Sequence, residues 1–290
     1  MRRSITTLGL AWSLTLLAGC GQPADQPLVA SYATLSPSTS NAAPEPMLAW
    51  SFGDETTLQA GDVDFEFSGG HEFGGNAVSF DGRTGFGASV VPAPLTTTSS
   101  FSVSAWVSLA DPIEYAAAVS QVGEEAASFF LGIGESTWDF AMKNADTNEP
   151  GHTIRAKANA NLVDLDQWFH LVGIHDLEEG EIRLYVNGVL GAAVAFDDPW
   201  QAEGELTIGR SQAHFAQADF WPGAIASVEI YSEPLTSEQQ AWATWDAWNA
   251  THKGSDKGSE QLCRSCGSST AGASGGELTD TVGGPVEFWS

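Results

Sequence analysis

The stretch Trp168–Leu190, WFHLVGIHDLEEGEIRLYVNGVL, decides the fold. Ile182, Leu184 and Val186 alternate with Arg183 and Tyr185, the period of two that belongs to a half-buried strand. Asn187-Gly188 follows at once. That dipeptide tolerates positive φ at both central positions of a type I′ turn, so it predicts a tight hairpin. Upstream, WFHLVGIHD reads as the strand before it.

Working outward, FSVSAWVSL puts Phe101, Val103, Ala105, Val107 and Leu109 on one face and Ser102, Ser104, Trp106 and Ser108 on the other. Residues 129–133, 206–208 and 224–231 also read as strands, with Gly, Asn, Asp and Pro clusters between them. Many short strands with little helical period predict an all-β sandwich. One helix is expected, starting at Thr236 with Gln239 as its capping-box partner and running to about Ala250. Trp242, Trp245 and Trp248 recur every three residues along it, a stripe suited to packing on the sandwich or to an exposed aromatic patch.

Charge narrows the partners. The 290 residues carry 11 Lys+Arg against 37 Asp+Glu, a formal net charge of -26. Nucleic acid is excluded as a partner, because phosphate binding needs clustered Lys and Arg. Docking on anionic lipid through a basic patch is excluded for the same reason.

The N-terminus reads as a targeting segment, with basic Arg2 and Arg3, an apolar core from Leu8 to Leu17, and Leu17-Ala18-Gly19-Cys20. This order resembles the lipobox of bacterial lipoproteins. The resemblance implies a signal peptide over residues 1–19, a lipid anchor on Cys20, and export to the outer membrane or cell surface, with membrane attachment through lipid only. Residues 20–46, rich in Pro, Ser, Thr and Ala, read as a disordered tether. A sandwich domain is expected over 47–250, and a low-complexity tail over 251–290. Cys263 and Cys266 in that tail form a C-x-x-C pair. In an exported chain it reads as a small local disulfide, with a free or labile pair as the alternative. Zinc would need two further ligands, and no other Cys is available.

Several motifs follow one another in a familiar order: MLAWSFGDE, GNAVSFDGRTGFGASV with Phe80, Asp81 and Gly82, FSVSAWV with Trp106, WFHLVGIHD, IRLYVNGVL, LTIGR and FWPGAIASVEIYSEPLTSEQ. Together they resemble the laminin-G-like, concanavalin A-like lectin domains over about residues 48–245. The resemblance implies a jelly-roll sandwich of two antiparallel sheets with a short C-terminal helix. Parts of that family carry calcium on acidic residues of the first and closing strands. Here those positions read Phe52-Gly53-Asp54-Glu55 and Ile225-Ala226-Ser227-Val228, so only Asp54 and Glu55 remain as calcium candidates. Acidic loops at Asp197-Asp198 and at residues 146–149 lack EF-hand spacing.

Catalytic chemistry has one candidate. Asp62, Asp64 and Glu66 share one face of a strand, and glycosidases of this superfold place paired carboxylates on such a strand. The competing reading is a solvent face, with Val63, Phe65 and Phe67 turned inward. His175-Asp176 lacks an accompanying nucleophile motif. No catalytic residue is therefore assigned. Sugar binding needs flat exposed rings beside hydroxyl acceptors. Trp138, Trp200 and Trp221, with Asp139, Asp198 and Asp219, fit loop positions for that purpose. The expectation is a surface-anchored, non-enzymatic lectin-like module recognising a glycan or a cell-envelope partner. The alternative is a protein-interaction or structural envelope module without a sugar site, and a glycoside hydrolase is the third reading.

Overall fold

The computed structural model describes residues 44–52, 56–92, 94–158 and 163–235, with 56–60 as backbone only. In chain order the strands are β1 (Leu48–Phe52), β2 (Thr56–Ala60), β3 (Phe65–Ser68), β4 (His71–Gly74), β5 (Ala77–Asp81) and β6 (Phe86–Pro92). Then come β7 (Phe101–Leu109), β8 (Tyr115–Val122), β9 (Ala127–Gly134), β10 (Thr137–Lys143), β11 (Thr153–Lys157) and β12 (Trp168–Asp176). The last six are β13 (Glu181–Val186), β14 (Val189–Ala195), β15 (Glu205–Ile208), β16 (Ser211–Ala213), β17 (Ala216–Ala218) and β18 (Pro222–Tyr231). No helix occurs among the described residues. The lipid-anchor Cys20, the tether up to residue 43, Asp54 and Glu55, the helix expected from Thr236 and the Cys263–Cys266 pair all lie outside them.

Two antiparallel sheets form the sandwich. One has nine strands, with the spine β14-β13-β12-β7-β18-β1-β2 and with β5 and β4 branching from β18. The other has seven, in the order β11-β10-β9-β8-β15-β6-β3. The decisive hairpin forms as expected. Asn187 (φ 50°) and Gly188 (φ 75°) join β13 to β14 in a two-residue turn. Strand β12 pairs β13 on one side and β7 on the other.

Alternation fills the space between the sheets. Phe101, Val103, Ala105, Val107 and Leu109 of β7 join Phe129, Leu131 and Ile133 of β9 and Trp138, Phe140 and Met142 of β10 in one core. Its rings pack on one another: Phe101 lies 5.3 Å from Phe129 and 6.3 Å from Phe140. Each such ring buried contributes on the order of 2–3 kcal/mol. Near the chain start, the Trp50 Nε1 donates to the Val63 carbonyl at 2.6 Å, and its ring meets Phe65 edge-on. Val63 and Phe65 are therefore buried, and Asp62, Asp64 and Glu66 are exposed, Glu66 on the edge strand β3 and the two aspartates in the segment before it.

The family-like Phe80-Asp81-Gly82 element is a backbone clamp. The Asp81 carboxylate accepts from the amides of Arg83, Thr84 and Gly85 and from the Thr84 hydroxyl. Those bonds hold its carboxyl well below the usual carboxylate range.

The outer face of the nine-stranded sheet is also buried in part. Val172, Ile174, Tyr185, Tyr231 and Leu235 form a second apolar cluster. Beside it the His170 ring packs against Trp106 at 5.2 Å, tilted by 36°. Burial lowers the His170 pKa from 6.5 to about 3. A histidine held neutral stabilises the fold above pH 6.5, and that stability is lost as pH falls from 6.5 toward 3. Between pH 7 and pH 5 the loss is about 2 kcal/mol. Asp139, described below, works in the opposite direction, so the test compares two proteins rather than two pH values alone. Urea unfolding of His170→Phe at pH 7 and pH 5 should show about 2 kcal/mol less loss than wild type. Equal losses in the two proteins would exclude His170 as the acid-sensitive group.

Candidate functional site

Three loops and a short hairpin meet at one end of the seven-stranded sheet. The first loop, 123–126, joins β8 to β9. The second, 144–152, joins β10 to β11. The third, 196–204, joins β14 to β15. The hairpin is β16–β17.

Asp146 ties the first two together. Its carboxylate accepts from the amides of Glu124, Glu125 and Ala126 at 2.9, 3.0 and 2.8 Å. Glu125 returns the contact, its carboxylate accepting from the Asn148 amide at 3.0 Å. The third loop is fastened from beneath. The buried Thr97 hydroxyl donates to the Trp200 carbonyl at 2.7 Å, and the Thr97 amide donates to Gln201 Oε1 at 2.8 Å. The Trp200 amide donates to the Lys143 carbonyl, and the Gly204 amide to the Val122 carbonyl. The hairpin docks through Gln212 Nε2, which donates to the Glu124 carbonyl at 2.9 Å.

Between these loops lies a cleft of about 430 Å³, lined by Gly123, Glu124, Asp146, Trp200, Gln201, Glu203 and Gly204. The Trp200 indole is half-buried and leans over Gly123, where a Cβ would run into Cη2 of the ring. A side chain at 123 would displace the indole from this position. One aromatic residue and three acidic residues thus line one space beside Gln201, whose amide is taken up by Thr97, Leu95 and Ala202, and among the described residues no Lys or Arg lines it. Lys143, beside it, donates to the Thr147 carbonyl and the Thr153 hydroxyl.

The sequence-predicted set does not assemble. Trp138 and Trp221 were placed in loops by the sequence, but both are fully buried in the core. The reason for Trp138 is the brevity of the preceding turn. Glu135 (φ 54°) and Ser136 (φ 62°) alone link β9 to β10, so Trp138 is already a strand residue alternating inward with Phe140. Trp221 stacks on Trp138 at 6.5 Å, and its Nε1 donates to the Ser108 carbonyl. Asp139 faces the opposite side of β10, where its buried carboxylate pairs with the partly exposed Arg155. Desolvation outweighs the arginine and raises its pKa to about 6. Asp219 is half-buried, with burial raising its pKa, and its carbonyl accepts from Ala117 near the other end of β8. Asp198 is exposed, two residues before Trp200. Only Trp200 of the six lines the cleft. Glu124, Gln201 and Glu203 were missed. The available signal was a Trp set among acids and Gly, in DDPWQAEGE and VGEE. Among the described residues no group of three His, Cys, Asp or Glu could hold a metal ion.

A family profile described as the concanavalin A-like lectin/glucanases superfamily matches residues 81–239, more than half the chain. The chain belongs to this superfamily. No curated protein matches it in sequence. Solved structures share the fold at low identity. The botulinum neurotoxin type C structure, reported with cell entry dependent on interaction with two ganglioside molecules, is 13% identical with a TM-score of 0.52. That match covers 69% of this chain and 51% of the toxin chain. The botulinum neurotoxin serotype G binding domain is 12% identical, with a TM-score of 0.52 over 71% and 52% of the two chains. A Trypanosoma rangeli sialidase in complex with sialic acid is 14% identical, with a TM-score of 0.54 over 74% and 35%. The chain thus spans about half the length of the toxin chains it matches.

Within this concanavalin A-like sandwich the loop cluster depends on Asp146, since loops carry few contacts of their own. Asp146→Ala should cost about 2 kcal/mol in urea unfolding, from three orphaned amides. Asp146→Asn, which keeps one acceptor oxygen, should fall between it and wild type. An alanine variant as stable as wild type would show that the cleft wall is held by other contacts.

Proposed function

We propose that this chain is a non-catalytic, glycan-binding module of a lipid-anchored envelope protein. The carrying observation is the cleft built around Trp200. Sugar rings present C–H faces that pack on an indole and hydroxyls that donate to carboxylates and amides. Trp200 supplies the first; Glu124 and Glu203 supply the second, while the Asp146 carboxylate and the Gln201 amide fasten the loops that carry them. The loops are fixed to strand ends and to one another, so little ordering is needed on binding.

Two further features support the reading. The superfamily's fold is shared with a toxin whose cell entry involves gangliosides and with a sialidase holding sialic acid. The lipobox-like Leu17-Ala18-Gly19-Cys20 would place the domain on the outer face of the envelope, with residues 20–46 as spacer. The acidic chain suits neither nucleic acid nor an anionic lipid surface as ligand. Glu66 and its neighbours on the edge strand face open solvent, without the enclosed, water-excluding surroundings that favour carboxylate catalysis.

A glycan array probed with the full chain should give a defined set of hits that disappear for Trp200→Ala. Trp138→Phe, a core substitution, should keep them if the variant folds. An array without hits, alongside capture of a protein partner that Trp200→Ala does not disturb, would replace this reading with a protein-interaction module.

A further inference from the structure

Strand β16 turns into β17 through His214 (φ 51°) and Phe215 (φ 63°). A two-residue hairpin with both φ values positive is a type I′ turn, which favours Asn-Gly. The chain uses that pair at Asn187-Gly188, so the preferred chemistry is available to it. At residue 215 it sets an aromatic side chain in the left-handed region, a genuine outlier for a bulky residue. The ring gains little burial in return, being 66% exposed. Strained non-glycine conformations cluster at functional sites, and an exposed ring held in one is a candidate for such a role.

The turn is held in register with the cleft. The Phe215 amide donates to the Glu125 carbonyl at 3.1 Å, and Gln212 bonds the Glu124 carbonyl. Glu124 is itself a cleft wall. The backbone that carries the ring is therefore bonded to the 123–126 loop, which forms one wall of the space that Trp200 lines.

On the reading that the Trp200 cleft binds a glycan, we infer that Phe215 is a second aromatic subsite of the same groove, for a chain of two or more neutral or amino sugars. The chain length follows from two separate rings, each able to carry one sugar face. The charge class follows from Glu124, Asp146 and Glu203, which repel carboxylated sugars and accept from hydroxyls or ammonium groups.

The experiment is calorimetric titration of the full chain with a gluco-oligosaccharide ladder from mono- to hexasaccharide, a chitosan hexamer and a hexagalacturonate. Affinity should rise with chain length, and the galacturonate should bind weakest. Phe215→Ala should lower hexasaccharide affinity about tenfold and leave the shortest binding sugar unchanged, as loss of one stacked ring implies. Phe215→Gly should weaken binding likewise while raising the Tm, because glycine relieves the positive φ. Wild-type affinity in both variants at every length overturns the inference and leaves the Trp200 cleft standing. So does tightest binding by the galacturonate, or a lower Tm for Phe215→Gly, which would make the ring a packing element. Binding that survives Trp200→Ala, or no binding of any probe, instead overturns the glycan reading of the cleft and the inference with it.

Discussion

Burial of one apolar face of each sheet against the other is the constraint on which everything else in this molecule rests. A strand has a side-chain period of two, so the core face must be apolar at every second residue. In β7, β9 and β10 those positions hold Phe101, Phe129, Leu131, Trp138 and Phe140, and a one-residue slip would turn all of them outward. The same constraint removes aromatic rings from the surface. Trp138 and Trp221 complete the interlayer packing around Phe169, so neither is available to a ligand. What the layers leave free is the end of the seven-stranded sheet, where backbone loops must find partners outside the ladders. Asp146, Thr97 and Gln201 supply those partners, and the cleft is the space between the loops they fix.

The sequence made the layers legible wherever local chemistry and alternation agreed. Asn187-Gly188 announces its own turn, and FSVSAWVSL forms β7 over the full predicted stretch. The Asp81 element is readable as a family motif, and its amide clamp explains why an acid sits there. The helix starting at Thr236 and the tail cysteines stand outside the described residues.

Most of the candidate site was not legible, for two physical reasons. First, a type I′ turn without glycine carries no compositional signal. Glu135-Ser136 looked like part of a longer loop, which misplaced Trp138, and His214-Phe215 gave no sign that it exposes a ring. Second, the contacts that build the cleft join residues far apart in sequence. Thr97 to Trp200 spans 103 positions, and Asp146 to Glu124 spans 22. Trp200 itself was legible, as a Trp directly after Asp197-Asp198-Pro199. Its acidic neighbours across the groove became visible only once the sheet brought the loops together.

The central claim is that ligand meets this sandwich at its loop end through Trp200, and not through the tryptophans of its core. Indole N–H shifts in a ¹H–¹⁵N spectrum of the full chain separate these sites directly, with a neutral gluco-hexasaccharide as the titrant. The account predicts a saturable shift of the Trp200 indole signal, with those of Trp138 and Trp221 unmoved. Saturable shifts of the core indoles with Trp200 stationary would contradict it.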